Sequence, residues 1–250
     1  MPDMKLIFEL YEGTPRQGPG NAASTRRAFT MLPGLGKRPR ILDVGCGSGA
    51  QTHDLAQLTR GSVVAVDIHL PFLRALKSSI AAGPSHFGQI FPVAASMMSL
   101  PFKDGAFDLI WSEGAMYIMG FAAGLRSWRR LLLPGAGLVV SEATWLRDDP
   151  PAELRDFWAA VYPAMTTTAA NLATAQAEGY EPLGHFVLPE SAWLEEYYAP
   201  LEERLSRFRD EHAGNAEAEA LVHETEREIS LYRRFFAWYG YVFYILRKTA

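Results

Sequence analysis

The stretch ILDVGCGSGAQTHDL, residues 41–55, sets three glycines in five positions directly behind a buried-looking apolar run and ahead of a helix-like segment. Few folds accommodate that order. Glycines let a backbone turn tightly and approach a ligand where any Cβ would collide, and a helix start presents free N–H groups. Gly45, Gly47 and Ala50 satisfy the pattern G-x-G-x-x-G/A in the strand-then-helix context it requires. A dinucleotide, another nucleotide-like cofactor, and a bare βα turn all meet the requirement of this piece alone.

The surrounding pattern repeats it. RILDVG reads as a strand and GAQTHDLAQLT as its helix; SVVAVDI is a β-branched strand followed by the amphipathic LPFLRALKSSIAAG, and IFPVAAS is a third, weaker strand. AFDLIWSE gives a fourth strand, FAAGLRSWRRLL a helix, and GLVVSEA a fifth strand after the turn LLPGAG. Strands alternating with helices predict a parallel sheet covered on both faces with right-handed crossovers. Upstream, GTPRQGPG reads as a loop, and Ser24 or Thr25 is placed to cap a short helix.

Beyond Ala143 the order changes. DDPPAELRDFWAAVYPAM and TTTAANLATAQAEGY read as helices, EPLGHFVLP as a sixth strand, and 191–237 as a charged antiparallel helix pair with EHAGNAEAEA at its turn; YGYVFYILRK is the last strand. The motif DPPA at 149–152 reads as a proline-started helix. Aromatic residues crowd this region, among them Trp145, Phe157, Trp158, Tyr162, Trp193, Tyr197 and Tyr198. Such spacing favours core, with some rings expected to roof a compact acceptor pocket together with the YEGTPRQGPG loop.

Composition narrows the function. A formal charge of −4 supplies no broad positive field for nucleic acid, and the single cysteine, Cys46, rules out an intrachain disulfide. The N-terminus lacks a signal-peptide h-region and no segment is long enough to span a bilayer, so a cytoplasmic protein without a membrane span is expected. The histidines are scattered, His53 reads as peripheral, and no metal site is expected.

Two carboxylates carry the chemistry. Asp43 interrupts an apolar strand, where an ionised group is costly unless partnered; it either bonds the glycine-loop amides or helps to hold a cationic ligand. Asp67 ends the second strand, where a carboxylate accepts both hydroxyls of a ribose, while Pro71 delays any helix it would otherwise cap.

Taken together, ILDVGCGSG, VVAVD, SLPFKDGAFDLIWS and LLLPGAGLVVSE resemble the successive motifs of class I S-adenosylmethionine-dependent methyltransferases, over residues 38–143. The likeness is greatest to the small-molecule branch that includes ubiquinone and menaquinone biosynthesis methyltransferases. The resemblance implies S-adenosyl-L-methionine as cofactor, S-adenosyl-L-homocysteine as product, and a Rossmann-like seven-stranded sheet of order 3-2-1-4-5-7-6 with a helical insertion before an antiparallel last strand. It implies that Gly45, Cys46, Gly47 and Gly49 flank the methionine part, that Asp67 holds the ribose, and that Ile68 covers adenine. Ser96 and Met97 stand where many relatives carry an acidic adenine contact.

Ligands in open α/β sheets lie beyond the carboxyl ends of the strands. Ser112, Glu113, Gly114, Tyr117 and Ile118 after the fourth strand, and Glu142 and Trp145 after the fifth, are therefore the expected acceptor-side residues. Glu113 is the candidate base, and a cofactor contact too; Tyr117 is the candidate for orienting the substrate. The expected organisation is one domain: an N-terminal helix or lid at 1–37, a cofactor core at 38–145, a helical acceptor or lid region at 146–237 and the last strand at 238–250. The partner is a small-molecule acceptor, and the sequence carries no signal for an oligomeric state. The alternatives are an NAD(P)-dependent oxidoreductase and a non-catalytic S-adenosylmethionine-binding protein.

Overall fold

Ile41, Leu42 and Val44 are completely buried because the strand they form, β1 (Arg40–Val44), lies mid-sheet with a parallel neighbour on each side. The computed structural model describes residues 3–83 and 88–249. The remaining strands are β2 (Ser62–Asp67), β3 (Gln89–Ala94), β4 (Phe107–Glu113), β5 (Leu132–Trp145), β6 (Thr166–Thr167), β7 (Tyr180–Val187) and β8 (Tyr239–Lys248). They run in the order β3-β2-β1-β4-β5-β8-β7, with β6 added beside the end of β5. β8 lies antiparallel to both β5 and β7. This is the expected order once the short β6 is counted; Thr166 and Thr167, expected in a helix, instead pair with Thr144 and Trp145. The outer strands β3 and β7 carry Pro92 and Pro182, residues that sheet interiors exclude.

Ten helices of the described residues cover the sheet: α1 (Met4–Tyr11), α2 (Ala22–Thr30), α3 (Ala50–Thr59), α4 (Leu70–Ala82), α5 (Phe121–Arg129), α6 (Ala152–Val161), α7 (Thr168–Ala177), α8 (Glu190–Trp193), α9 (Ala199–Glu211) and α10 (Ala216–Phe235). Side chains alternate across the strands. Leu109, Trp111, Val139 and Ala143 face a core shared with α1, α3, α9 and α10, whereas Ile110, Leu138, Val140 and Tyr244 face α5 and α7.

Three local expectations are corrected. Asn21, rather than Ser24 or Thr25, caps α2, its side chain accepting from the Ser24 amide at 2.8 Å. The expected turn LLPGAG is the first part of β5, where Leu132 already pairs with Phe107 before a register shift. The late aromatics make core and do not roof a cavity: Trp193 stacks on Tyr232 at 4.4 Å between ring centroids, and Trp158, Tyr198 and Tyr239 complete the cluster.

A π-helical turn, Leu194–Tyr198, joins α8 to α9 just ahead of Pro200, which lacks the N–H an α-turn would need there. The antiparallel pairing of α9 with α10 is fixed by Arg233 on Glu202 and Arg209 on Glu226, at 2.7 and 3.1 Å. Asn215 starts α10 by accepting from the Glu217 and Ala218 amides at 3.0 and 3.2 Å. Asn215→Ala should therefore lower stability by about 1 kcal/mol in chemical denaturation, with an unchanged spectrum of the native state.

Candidate active site

The turn after β1 is strung from the end of β2. The Val66 carbonyl accepts from the amides of Gly45 and Cys46 at 2.9 and 3.0 Å, and Asp67 Oδ2 accepts from the Gly47 amide at 2.9 Å. Gly45 and Gly47 both take positive φ, 73° and 53°, the left-handed region that other residues enter at a cost. A Cβ on Gly45 would strike Ala115, and one on Gly47 would strike the Gln17 carboxamide. Backbone thus forms the floor of a cleft at the carboxyl end of the sheet.

That cleft is a cavity of about 550 Å³. Its floor is Gly45, Cys46 and Gly47; one wall is Asp67, Ile68, Phe72, Ser96, Met97 and Met98; the other is Glu113, Gly114, Ala115, Tyr117 and Ile118. Met4, Ile7, Phe8, Tyr11 and the loop Arg16–Pro19 close the top. Of the residues expected from the sequence, Gly45, Cys46, Gly47, Asp67, Ile68, Ser96, Met97, Glu113, Gly114, Tyr117 and Ile118 come together here. Four do not. Gly49 packs on Leu76 beneath the loop, Ser112 turns to the Val44 carbonyl at 2.9 Å, Trp145 packs edge-on against Tyr239, and Glu142 is buried behind the wall.

Asp43 is also behind the floor. It bonds no loop amide; it accepts from Thr52 Oγ1 at 2.5 Å and Gln51 Nε2 at 3.3 Å, so it ties β1 to the first turn of α3. Burial pushes its carboxyl up to about 7 against those two hydrogen bonds. Asp67 is likewise raised by burial, opposed by hydrogen bonds from the His69 and Gly47 amides. His53 lies outside the site, its ring Nε2 2.7 Å from Ser79 Oγ.

The N-terminal residues are what the sequence left least visible. The YEGTPRQGPG loop is a roof as expected, but α1 and the individual contacts are new. Phe8 stacks on His69 at 4.4 Å, and Glu12 Oε1 meets His69 Nε2 at 2.7 Å. Gln17 Oε1 accepts from the Ser48 amide at 2.7 Å, covering the glycine loop. Arg16 reaches Glu113 at 3.3 Å and Asp54 at 3.7 Å.

Glu113 is consequently crowded with donors. Thr25 Oγ1 and Trp111 Nε1 each donate to its Oε1 at 2.8 Å, while Arg16 holds Oε2. Three donors fix the direction of its carboxyl group.

A family profile described as "Methyltransferase domain" matches residues 41–135. The chain is 31% identical to a demethylmenaquinone methyltransferase of Mycobacterium marinum over 216 residues, 82% of this chain and 85% of that protein. The chain belongs to the class I S-adenosylmethionine-dependent methyltransferases. It is also 34% identical to a malonyl-[acyl-carrier protein] O-methyltransferase of Pseudescherichia vulneris over 54% of this chain and 50% of that protein. The chain spans about half the length of the first curated relatives it matches. A methyltransferase of Thiobacillus denitrificans solved with S-adenosyl-L-homocysteine shares the fold, with a TM-score of 0.80 at 19% identity over 99% of both chains.

The residues present fit the methyltransferase donor. The floor at Gly45 and Gly47 leaves no room for a Cβ beside Ala115 and Gln17, so bare backbone lines the cavity there; Asp67 keeps carboxylate lone pairs for a ribose, and Ile68, Phe72 and Met97 offer apolar faces to a base. Among the described residues no three His, Cys, Asp or Glu are grouped to hold a metal, and no helix is long and apolar enough to cross a membrane.

Two outcomes follow from this geometry. Glu113→Ala leaves Arg16 with Asp54 alone and strands the Thr25 and Trp111 donors, and should cost roughly 1–3 kcal/mol in denaturant unfolding. Because burial raises Asp43 from 3.8 to about 7, the folded chain keeps a proton there that the unfolded chain releases. Its contribution therefore favours folding at low pH and is lost as pH rises between those values. Asp43→Asn should remove that share, giving a flatter fall in unfolding free energy than wild type across the same window.

Proposed function

We propose that the protein transfers the methyl group of S-adenosyl-L-methionine to an uncharged small-molecule acceptor by in-line displacement. The observation that carries this reading is the continuity of one cavity from Asp67 and the glycine floor to Gly114 and Tyr117, with walls that are chiefly apolar. Its arginine, Arg16, is already neutralised by Glu113 and Asp54, leaving no guanidinium to receive a phosphate or carboxylate on the acceptor. The similarity to enzymes named for demethylmenaquinone and for malonyl-[acyl-carrier protein] supports methyl transfer, and their different acceptors leave the choice of acceptor to the cavity.

The donor supplies an activated methyl carbon when bound. The chain supplies alignment and exclusion of water. In this reading Gly45, Cys46 and Gly47 flank the methionine portion, Asp67 takes the ribose, and Ile68, Ser96 and Met97 border adenine. Tyr117, on the exposed turn after β4, orients the acceptor. Glu113 is a positioning residue: its three donors hold it to the roof, a poor setting for accepting a substrate proton. Asp43 acts through α3, and Gly49 through its packing on Leu76.

Calorimetry with S-adenosyl-L-methionine, S-adenosyl-L-homocysteine and NAD tests the assignment. The first two should bind in the micromolar range and NAD should not. Asp67→Ala should weaken the first two at least tenfold, the loss of about one charge-assisted hydrogen bond or more. Tight NAD binding would reverse the assignment.

A further inference from the structure

The carboxyl ends of β1, β2, β4 and β5 each bear an acid: Asp43, Asp67, Glu113 and Glu142. The first three are met by hydrogen-bond donors. Glu142 is not: it is 2% exposed, and neither of its oxygens has a donor in hydrogen-bond geometry.

Its place is specific. Ser141 pairs with Glu113, the last residue of β4, so Glu142 stands one residue further on. The Gly114 amide donates to Ser141 Oγ at 2.9 Å, and the turn Met116–Ile118 packs on β5. The front of that turn, through Tyr117 and Ile118, is the cavity wall. Glu142 is directly behind it, on the opposite face of the sheet from Glu113 and Arg16. The titratable groups on the side of Glu142 are all hydroxyls: Tyr117 from the turn, Tyr162 after α6 and Tyr244 from β8, while Tyr241 feels its charge from the opposite face of the sheet. Tyr162 is its hydroxyl neighbour, and no cation faces it among the described residues. Burial pushes its carboxyl up to about 7, with Tyr162 pulling the other way.

A buried carboxyl with only a tyrosine hydroxyl beside it keeps its proton unless a positive charge settles close by, here across the Tyr117 wall. Resting on the donor reading above, we propose that Glu142 is the counter-charge residue of the acceptor wall: protonated while the cavity holds a neutral thioether, ionised while it holds a sulfonium. The wall thus carries a carboxylate behind Tyr117, the tyrosine of this group that lines the cavity, only when the methyl donor is loaded. Glu113 cannot serve this way, since Thr25, Trp111 and Arg16 already occupy both of its oxygens.

The test needs no acceptor. Wild-type protein is titrated with S-adenosyl-L-methionine and, separately, S-adenosyl-L-homocysteine near pH 7, in phosphate and in Tris, whose different ionisation heats report protons exchanged. The sulfonium ligand should expel about half a proton more than the thioether, as expected for a group titrating at about 7. Glu142→Gln should abolish the difference while S-adenosyl-L-homocysteine affinity stays within about twofold, and Asp43→Asn should preserve it. No difference in wild type, a difference that survives Glu142→Gln, or one removed by Asp43→Asn overturns the proposal. Failure of both ligands to bind wild type sinks the donor reading itself. Should Glu142→Gln not fold, infrared spectra of wild type decide: the protonated-carboxyl band should fall on adding the sulfonium ligand and not the thioether, and an unchanged band counts against Glu142.

Discussion

One carbonyl and one carboxylate at the end of β2 hold the glycine turn after β1 in place. Val66 receives two consecutive amides, Asp67 a third, and the turn can pass that close only because Gly45 and Gly47 lack side chains. The neighbouring parallel pairing, Val44 with Val66, brings those acceptors to the right height. Everything about the cavity depends on this attachment. The floor is bare because the residues are glycine, and Asp67 points at the floor because the loop amide holds it there.

The protein then spends its polar groups on fixing that floor from behind and from above. Asp43 bonds Thr52 and Gln51 so that α3 begins in a set position. Gln17 bonds Ser48 from the opposite side, and Arg16 joins the roof to β4 through Glu113. Buried carboxyls of this kind are expensive unless donors surround them. Three of the four acids at the strand ends conform, and the contrast singles out Glu142.

How much of this was legible beforehand follows from what each feature depends on. The sheet order was readable because period-two and continuous apolar runs, broken by Gly and Pro, are local signals. β6 escaped because two residues make no period. The cap of α2 was misplaced because Asn21, Ser24 and Thr25 are all capping residues, and only the backbone tells which one stands outside the helix. Gly45, Gly47 and Asp67 were legible as a motif. The role of Glu113 was not, since its Arg16 and Thr25 partners lie 97 and 88 residues away in the chain. The late aromatic residues are core, as their spacing favoured, and the roof expected of some of them is missing for a related reason: ring spacing on a helix reveals an apolar face without revealing whether a ligand or another helix covers it.

The prolines at the two margins of the sheet have a consequence for the molecule at high concentration. A margin strand normally offers its spare amides to any extended chain that drifts alongside, the route by which sheets of separate molecules fuse. Pro92 and Pro182 remove a donor from each margin, and the register break between Pro182 and Gly184 bends the second one. Intermolecular strand annealing, and the fibrous aggregates it seeds, are thereby discouraged at both ends of the same sheet that carries the chemistry.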